Sequence, residues 1–169
     1  MIYELTVPQF IKTLKNLNTI LDKAAGFADS KKIDMEVLLN SRLAPDMLPF
    51  TRQIQIICDT AKLGASRLTG KTAPVQEDNE KTLAEIKARI ESTMAYLKSM
   101  NVEDYKNAQT ISITTPRWEG KTLTGEQYAV HHVIPNFYFH VTTAYAILRH
   151  NGVDIGKKDY LGELPYKLP

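Results

Sequence analysis

Two segments of this chain hold the side chains best suited to chemistry, and they are far apart in the sequence. Residues 58–62 read Cys-Asp-Thr-Ala-Lys, and residues 131–150 contain all four histidines of the chain. Because histidine titrates near neutral pH and is the commonest metal ligand, acid–base work, metal binding or anion binding is expected here. The sequence contains no glycine-rich phosphate loop, no Gly-x-Ser-x-Gly elbow and no sign of a Ser–His–Asp arrangement.

The spacing of the histidines does not by itself predict a metal site. Two histidines on a helix hold one ion when they are three or four residues apart. His132 and His140 differ by about 80° around a helix axis, and His140 and His150 differ by a similar angle. No two of them share a metal-binding face, although His131 or His132 could still approach His140 if Pro135 breaks the helix.

A second possibility is a polar site without an ion. Asn136, His140 and Thr143 follow one another at steps of four and three, which places them on one helix face. Asp59 and Lys62 lie one turn apart on another helix that could face them. Asp59 would then hydrogen-bond one nitrogen of His140 and leave the other for a ligand, which suits acid–base work or anion binding. The alternative is a satisfied buried polar network that only fixes helix register, and the sequence leaves both open.

Cysteine and aromatic residues near these segments have simpler interpretations. Cys58 lies in an apolar helical pattern and is interpreted as a small core residue, not a nucleophile. Aromatic residues crowd the last third of the chain, and three consecutive aromatics at 137–139 cannot all face inward. One of them is therefore predicted to line a pocket mouth or a dimer contact. The crowded residues are Trp118, Tyr128, Phe137, Tyr138, Phe139 and Tyr145.

The elements that must position these residues are predicted to be mostly helical. Apolar residues recur at helical spacing in four stretches, and most charged residues of the third stretch, including Arg89, are placed away from its apolar side. A change to alternating spacing predicts a small two-stranded hairpin before the last helix. The stretches are 6–24, 50–70, 80–101 and 135–152, and the hairpin joins 110–114 to 121–125.

Local signals predict where the helices begin and end. A capping box at residues 6–9 is predicted to start the first helix, and Asp34, Asp46 and Asp78 are predicted to cap the helices that follow them. Pro135 either kinks the last helix or restarts it. After Gly152 the tail is too rich in glycine for a helix and is expected to fold back through Ile155, Tyr160 and Leu161.

Composition bounds the class of protein. The 169 residues are 43% hydrophobic and carry a net charge of +2, which favours one domain over 1–169 and gives no field to attract nucleic acid. A single cysteine forms no disulfide within the chain and favours a reducing compartment. No secretory signal or membrane-spanning run is visible, so a soluble cytoplasmic protein is expected.

Three stretches of the sequence resemble a known family. Residues 135–153, the Gly-Lys-Lys-Asp-Tyr-Leu-Gly of 156–162 and the Cys-Asp-Thr-Ala-Lys of 58–62 resemble a bacterial and fungal family of uncharacterised function, domain of unknown function nineteen ninety-three. That family is similar in fold to the DinB/YfiT-like metalloenzyme group. The resemblance implies an all-α, up-and-down four-helix bundle, often dimeric.

The resemblance also implies a metal site that this chain does not complete. In metal-binding members three histidines hold a divalent cation, one from the second helix and two from a His-x-x-His motif on the last helix. Some of these members are thiol-dependent transferases or isomerases. Here His140 matches the first histidine of the motif, Thr143 stands at the second, and the second helix has no histidine. Asp59 or Cys58 is the nearest substitute, and a threonine hydroxyl is a poor transition-metal ligand.

These observations lead to one main prediction and two alternatives. The main prediction is a small-molecule-binding protein without a cofactor, with a polar pocket between the second and last helices built from Asp59, Lys62, Asn136, His140 and Thr143. The first alternative is a metal-dependent thiol transferase or hydrolase with Zn or Ni on His140 and Asp59, which are also the candidate catalytic residues. The second is a structural dimer without a ligand. A homodimer is expected, and neither nucleic acid nor a membrane is predicted as a partner.

Overall fold

Helices make up most of residues 1–167, the part of the chain that a computed structural model describes. Two two-residue strands, β1 (Ser112–Ile113) and β2 (Leu123–Thr124), pair antiparallel. Short 3-10 turns occupy Val102–Tyr105 and Pro116–Trp118. The helices are α1 (Ile2–Lys31), α2 (Met35–Asn40), α3 (Phe50–Thr69), α4 (Leu83–Lys98), α5 (Gly125–Tyr128), α6 (Ile134–His150) and α7 (Lys157–Leu161).

The long helices bury their apolar stripes against one another. Helix α3 packs against α6, α4 and α1, and α1 also packs against α4 and α6. The ring of Phe10 on α1 stacks on Phe137 of α6 with 4.1 Å between centroids. The predicted stripe of α1 is confirmed, because all five of its apolar residues are buried. These are Phe10, Leu14, Leu17, Leu21 and Ala24.

The predicted start of the first helix is wrong. Helix α1 begins at Ile2, so Thr6 lies inside it and donates its hydroxyl to the Ile2 carbonyl oxygen at 2.7 Å instead of capping. The physical reason is packing: Ile2 and Tyr3 lie against the core, and the Tyr3 ring meets Tyr105 edge to face. Burial of these side chains extends the helix upstream of Pro8.

Of the other three predicted caps, one is confirmed and two are wrong. Asp34 caps α2 as predicted, accepting from the Glu36 backbone N–H at 2.9 Å. The Asp46 prediction is wrong, because Pro49 holds the N-cap position of α3. The Asp78 prediction is also wrong: Thr82 caps α4, while the Asp78 carboxylate is drawn into ion pairs with arginines.

A π-helical turn at Ala129–Val133 joins α5 to α6. Pro135, in the first turn of α6, has no backbone N–H and cannot continue the usual ladder of hydrogen bonds. The Ile134 N–H instead reaches five residues back to the Ala129 carbonyl oxygen. The helical path thus continues through Pro135 with one extra residue in the turn.

The tail after Gly152 folds back onto α1 as predicted. The prediction that it contains no helix is wrong. Helix α7 forms there, with the Asp159 carboxylate accepting from the Gly156 N–H at 2.8 Å. Asn16 of α1 donates to the Tyr160 carbonyl oxygen at 3.0 Å, which fixes the tail in place. Ile155 is buried as predicted, whereas Leu161 is 38% exposed. No described helix has both the length and the apolar character that a membrane span requires.

The predicted hairpin is confirmed, and Gly125 fastens it to the chain before it. Ser112 pairs with Thr124 and Ile113 with Leu123. The Gly125 N–H donates to the Ile111 carbonyl oxygen at 2.8 Å. A Cβ at this glycine would collide with the carbonyl oxygen of Ala108, so only glycine fits without a backbone shift.

Replacing Gly125 with alanine is therefore expected to lower the free energy of unfolding by about 2 kcal/mol or more, since the collision is with backbone. Gly26 on α1 is the matched control, because a Cβ there would meet nothing within 4 Å. The Gly26→Ala variant should gain about 0.5–1 kcal/mol through helix propensity. Urea denaturation of both variants measures the difference. Equal stability of the two would contradict the tight fit at Gly125.

Candidate functional site

A cavity of about 740 Å³ lies between α3 and α6. One face of α3 forms its floor, with Arg52, Ile56, Asp59, Leu63 and Arg67 following one another at steps of three or four. Opposite them stand His132, Asn136 and His140, while the 3-10 turn at Pro116–Trp118 and the side chain of Asp78 close the rim.

His140 is held in one tautomer, but not by the residue predicted to hold it. Its Nδ1 lies 2.7 Å from Oε1 of Gln53, a buried residue of α3. The Gln53 Nε2 donates to the Leu48 carbonyl oxygen at 2.9 Å, and a carbonyl can only accept. The amide oxygen therefore faces His140, which places the proton on Nδ1 and leaves Nε2 with a free lone pair.

Asp59 is directed to other partners, which corrects the predicted Asp59–His140 hydrogen bond. Asp59 Oδ1 accepts from Arg89 Nη2 at 2.8 Å and forms an ion pair with Lys62 Nζ at 3.1 Å. The Arg89 side chain is 1% exposed, and a charge so buried requires carboxylates around it. That requirement outweighs a hydrogen bond to a neutral imidazole.

Arg89 connects α4 to α3 and to the segment between them. Its Nη1 donates to Glu80 Oε1 at 2.8 Å, and its Nη2 lies 3.0 Å from Asp78. Burial alone would raise the pKa of Glu80 and of Asp78, but the hydrogen bonds and charges of nearby arginines outweigh it and lower both. Placing Arg89 away from the apolar side of its helix was wrong. Arg89 lies three residues after Ile86 and four before Thr93, both buried, and this helical spacing places it on the buried side of α4.

The five residues predicted for the pocket do not all reach the cavity. Asp59, Asn136 and His140 line it, and Asn136 donates to the Thr60 hydroxyl at 2.8 Å. Lys62 does not line it: this side chain is buried, donates to Gln76 Oε1 at 2.9 Å and pairs with Asp59.

Thr143 lies away from the cavity. Its hydroxyl donates to the Phe139 carbonyl oxygen at 2.8 Å, and it borders a separate shallow groove together with Leu43 and Phe139. Phe139 is 58% exposed and is thus the outward aromatic of the 137–139 run. The groove and the cavity share no lining residue.

The side chains around His140 do not fit the three-histidine metal site that the resemblance implies. Within residues 1–167 no three His, Cys, Asp or Glu side chains come together as a ligand set. Cys58 is fully buried, and burial is the main cause that raises the pKa of its thiol to about 11, far from the thiolate that binds metals. Asp59 is already shared between Arg89 and Lys62.

An aromatic cluster forms the other end of the cavity. The Trp118 ring meets Tyr128 and His132 edge to face, at 5.9 and 5.8 Å between centroids, and Tyr128 stacks on His132 at 5.4 Å. Arg67 Nη1 donates to the Tyr128 hydroxyl at 2.8 Å. Partial burial first, and the charge of Arg67 second, lower the pKa of His132.

The arginines of the cavity were missed by sequence reasoning. Arg52 lies seven residues before Asp59 and Arg67 eight residues after it, so all three share one face of α3, and this spacing is visible in the sequence. Arg117 lies in the turn of the hairpin, and no periodicity predicts that this turn reaches α3.

Comparisons with known proteins agree with the fold. Residues 2–161 match a family model described as Domain of unknown function (DUF1993). The structure is similar to that of a DinB family member protein from Shewanella denitrificans, with a TM-score of 0.98 and 61% sequence identity, covering 100% of this chain and 96% of that chain. No curated protein matches the sequence. The resemblance stated from the sequence is confirmed.

Removing the Arg89 guanidinium should destabilise the protein strongly. The Arg89→Met variant keeps an apolar stem but leaves three carboxylates without their shared cation, so we expect a loss of about 2–3 kcal/mol in unfolding free energy. The loss should not be larger, because Asp59 and Asp78 are about one-third exposed (33% and 38%). Lys106→Met, which breaks an exposed ion pair with Glu103, is the control and should change little. Chemical denaturation that finds equal losses would refute a structural role for Arg89.

The partial burial of His140 should make stability depend on pH. Burial lowers the pKa of His140 below its ordinary value of 6.5, so the unfolded chain takes up a proton at a higher pH than the folded protein does. The free energy of unfolding is then expected to fall as pH drops below that value and to level off below the folded-state pKa. The His140→Asn variant should show a shallower fall between about pH 7.5 and about pH 5.5 in urea titrations. An unchanged slope would show that His140 is not desolvated.

Proposed function

Since the chain belongs to the family described as Domain of unknown function (DUF1993), we propose that it is a small-molecule-binding protein whose ligand occupies the cavity between α3 and α6. In this proposal α1, α3, α4 and α6 form the up-and-down four-helix bundle of the DinB/YfiT-like group. Such bundles build their sites from side chains on facing helices. The similarity to a DinB family member over the whole chain supports that architecture.

The observation that carries the proposal is the lining of the cavity. Asp59, Asn136 and His140 come from two helices and border one space of about 740 Å³, within the range usual for small-molecule sites. His140 is oriented by Gln53 and keeps a lone pair on Nε2. It offers an acceptor to a ligand that donates a hydrogen bond, and its neutral form suits a general base if the ligand reacts.

The metal-dependent alternative has less support. A thiol transferase or hydrolase using Zn or Ni needs an open site with about three protein ligands. The free Nε2 of His140 could bind a metal, but Asp59 is already paired with Arg89 and Lys62, and within residues 1–167 no three His, Cys, Asp or Glu side chains form a ligand set. The proposal therefore includes no cofactor.

A homodimer is compatible with ligand binding. The exposed Phe139 and Leu43 form an apolar groove that shares no residue with the cavity lining. A second copy covering that groove would leave the cavity residues in place. A structural dimer without ligand is the remaining alternative, and the ligand screen below bears on it.

The proposal is tested by a thermal-shift screen with small acids, thiols, amides and sugars. At about one hundred times its dissociation constant a true ligand adds about 2.7 kcal/mol of stability, which is easily detected. The shift should be smaller in His140→Ala and Asn136→Ala and unchanged in Thr143→Ala, which alters the same helix outside the cavity. Equal shifts in all three variants would refute the site.

Elemental analysis of protein purified without chelator decides between this proposal and the metal-dependent alternative. The proposal expects no stoichiometric transition metal. A stoichiometric metal that is lost in His140→Ala would overturn it in favour of the metal-dependent enzyme.

A further inference from the structure

The arginines that border the cavity are not equivalent. Arg52 is paired with Asp78, whereas Arg67 and Arg117 have no carboxylate partner within residues 1–167. Asp59 and Asp78, the acidic residues of the lining, are both bound to Arg89. Arg67 donates to the Tyr128 hydroxyl, and the neighbour of Arg117 in the chain, Trp118, packs against the Tyr128 ring. The end of the cavity at Tyr128 therefore has positive charge that the protein does not neutralise.

Contacts with Tyr128 orient the guanidinium of Arg67. The side chain is half-buried, and Nη1 donates to the hydroxyl of the buried Tyr128. Its guanidinium carbon lies 5.9 Å from the centre of the Tyr128 ring, so the ring and the hydroxyl together fix its orientation. A guanidinium has five N–H donors, and most of those on Arg67 are left for water or an anion. A planar fork of this kind matches a carboxylate in two-point contact.

Apolar and aromatic side chains border the cavity beside these arginines. Leu63 lies one turn from Arg67 on α3, and the Trp118 ring stands at the rim next to Arg117. His132, stacked on Tyr128 by one face, is exposed to solvent. A flat apolar group can pack there against rings that are already fixed by their mutual contacts.

We propose that the ligand is a small organic carboxylate with a flat apolar body, its carboxylate bound by Arg67 and Arg117 and its body lying along Leu63 and Trp118. This inference rests on the proposed function, because it assigns the ligand class of the same cavity. Inorganic phosphate satisfies the two guanidinium groups but makes no use of the apolar wall. A neutral amide of the same shape uses the wall but not the charge.

The experiment compares benzoate, benzamide and inorganic phosphate as probes. Trp118 is the only tryptophan of the chain, so its fluorescence reports binding at the rim directly, and calorimetry measures the affinity independently. Benzoate should change the fluorescence in a saturable way. Benzamide and phosphate should each bind about tenfold more weakly or worse, since each lacks one of the two interactions.

Variants locate the carboxylate. Arg67→Gln and Arg117→Gln should each weaken benzoate binding about tenfold while leaving benzamide binding unchanged. Arg117 is exposed and makes no side-chain hydrogen bond within the described residues, so its variant should fold normally even if Arg67→Gln does not. Arg149→Gln removes the same charge from the exposed end of α6 and is the matched control.

Three outcomes would overturn the inference. They are equal binding of benzoate and benzamide, an effect of Arg149→Gln as large as that of the cavity arginines, and no binding of benzoate to the wild type. The proposed function is tested separately from this inference. A neutral compound that stabilises the wild type but not His140→Ala would support the cavity as a ligand site and would refute a carboxylate as its ligand.

Discussion

The buried guanidinium of Arg89 is the interaction on which the site depends. It is almost completely shielded from water, and it gathers carboxylates from α3 and from the segment before α4 around one cation. Such a group is tolerated only when its partners are in place, so it determines where Asp59 and Asp78 can lie. These two carboxylates form part of the cavity lining, and the charge of the cavity is therefore set from outside it.

The pairing of Arg89 with Asp59 also explains the hydrogen-bond partner of His140. Because Arg89 takes the carboxylate of Asp59, the imidazole is left with a neutral amide, Gln53. The amide fixes the tautomer of His140, and burial lowers the pKa of its imidazole. The cavity thus combines an uncharged acceptor at one end with unneutralised arginines at the other. This arrangement suits an anionic ligand better than a cation.

The fold could be predicted largely from the sequence, because helical periodicity and the hairpin signal are local. The residues that line the cavity could be predicted only in part. Asn136 and His140 share a face by spacing alone, but the partner of His140 depends on which carboxylates Arg89 attracts, a contact between residues thirty positions apart. The sequence does not predict the helix starts at Ile2 and Leu83, because packing and ion pairs outweigh the capping signals. The angle between His132 and His140 was calculated for a regular helix, and the wider turn between them rotates less per residue.

The π turn at Ala129–Val133 also bears on how this protein tolerates change in length. A π turn is an α-helical turn with one residue added, so deletion of a single residue there would restore a regular helix. The segments on either side would keep nearly the same relative rotation, because a π turn spreads about one full rotation over one more residue than an α turn does. The hairpin with Arg117 and Trp118 would stay beside the cavity, and the apolar stripe of α6 would stay in place. The chain could therefore lose one residue at this turn without reorienting the elements around the cavity.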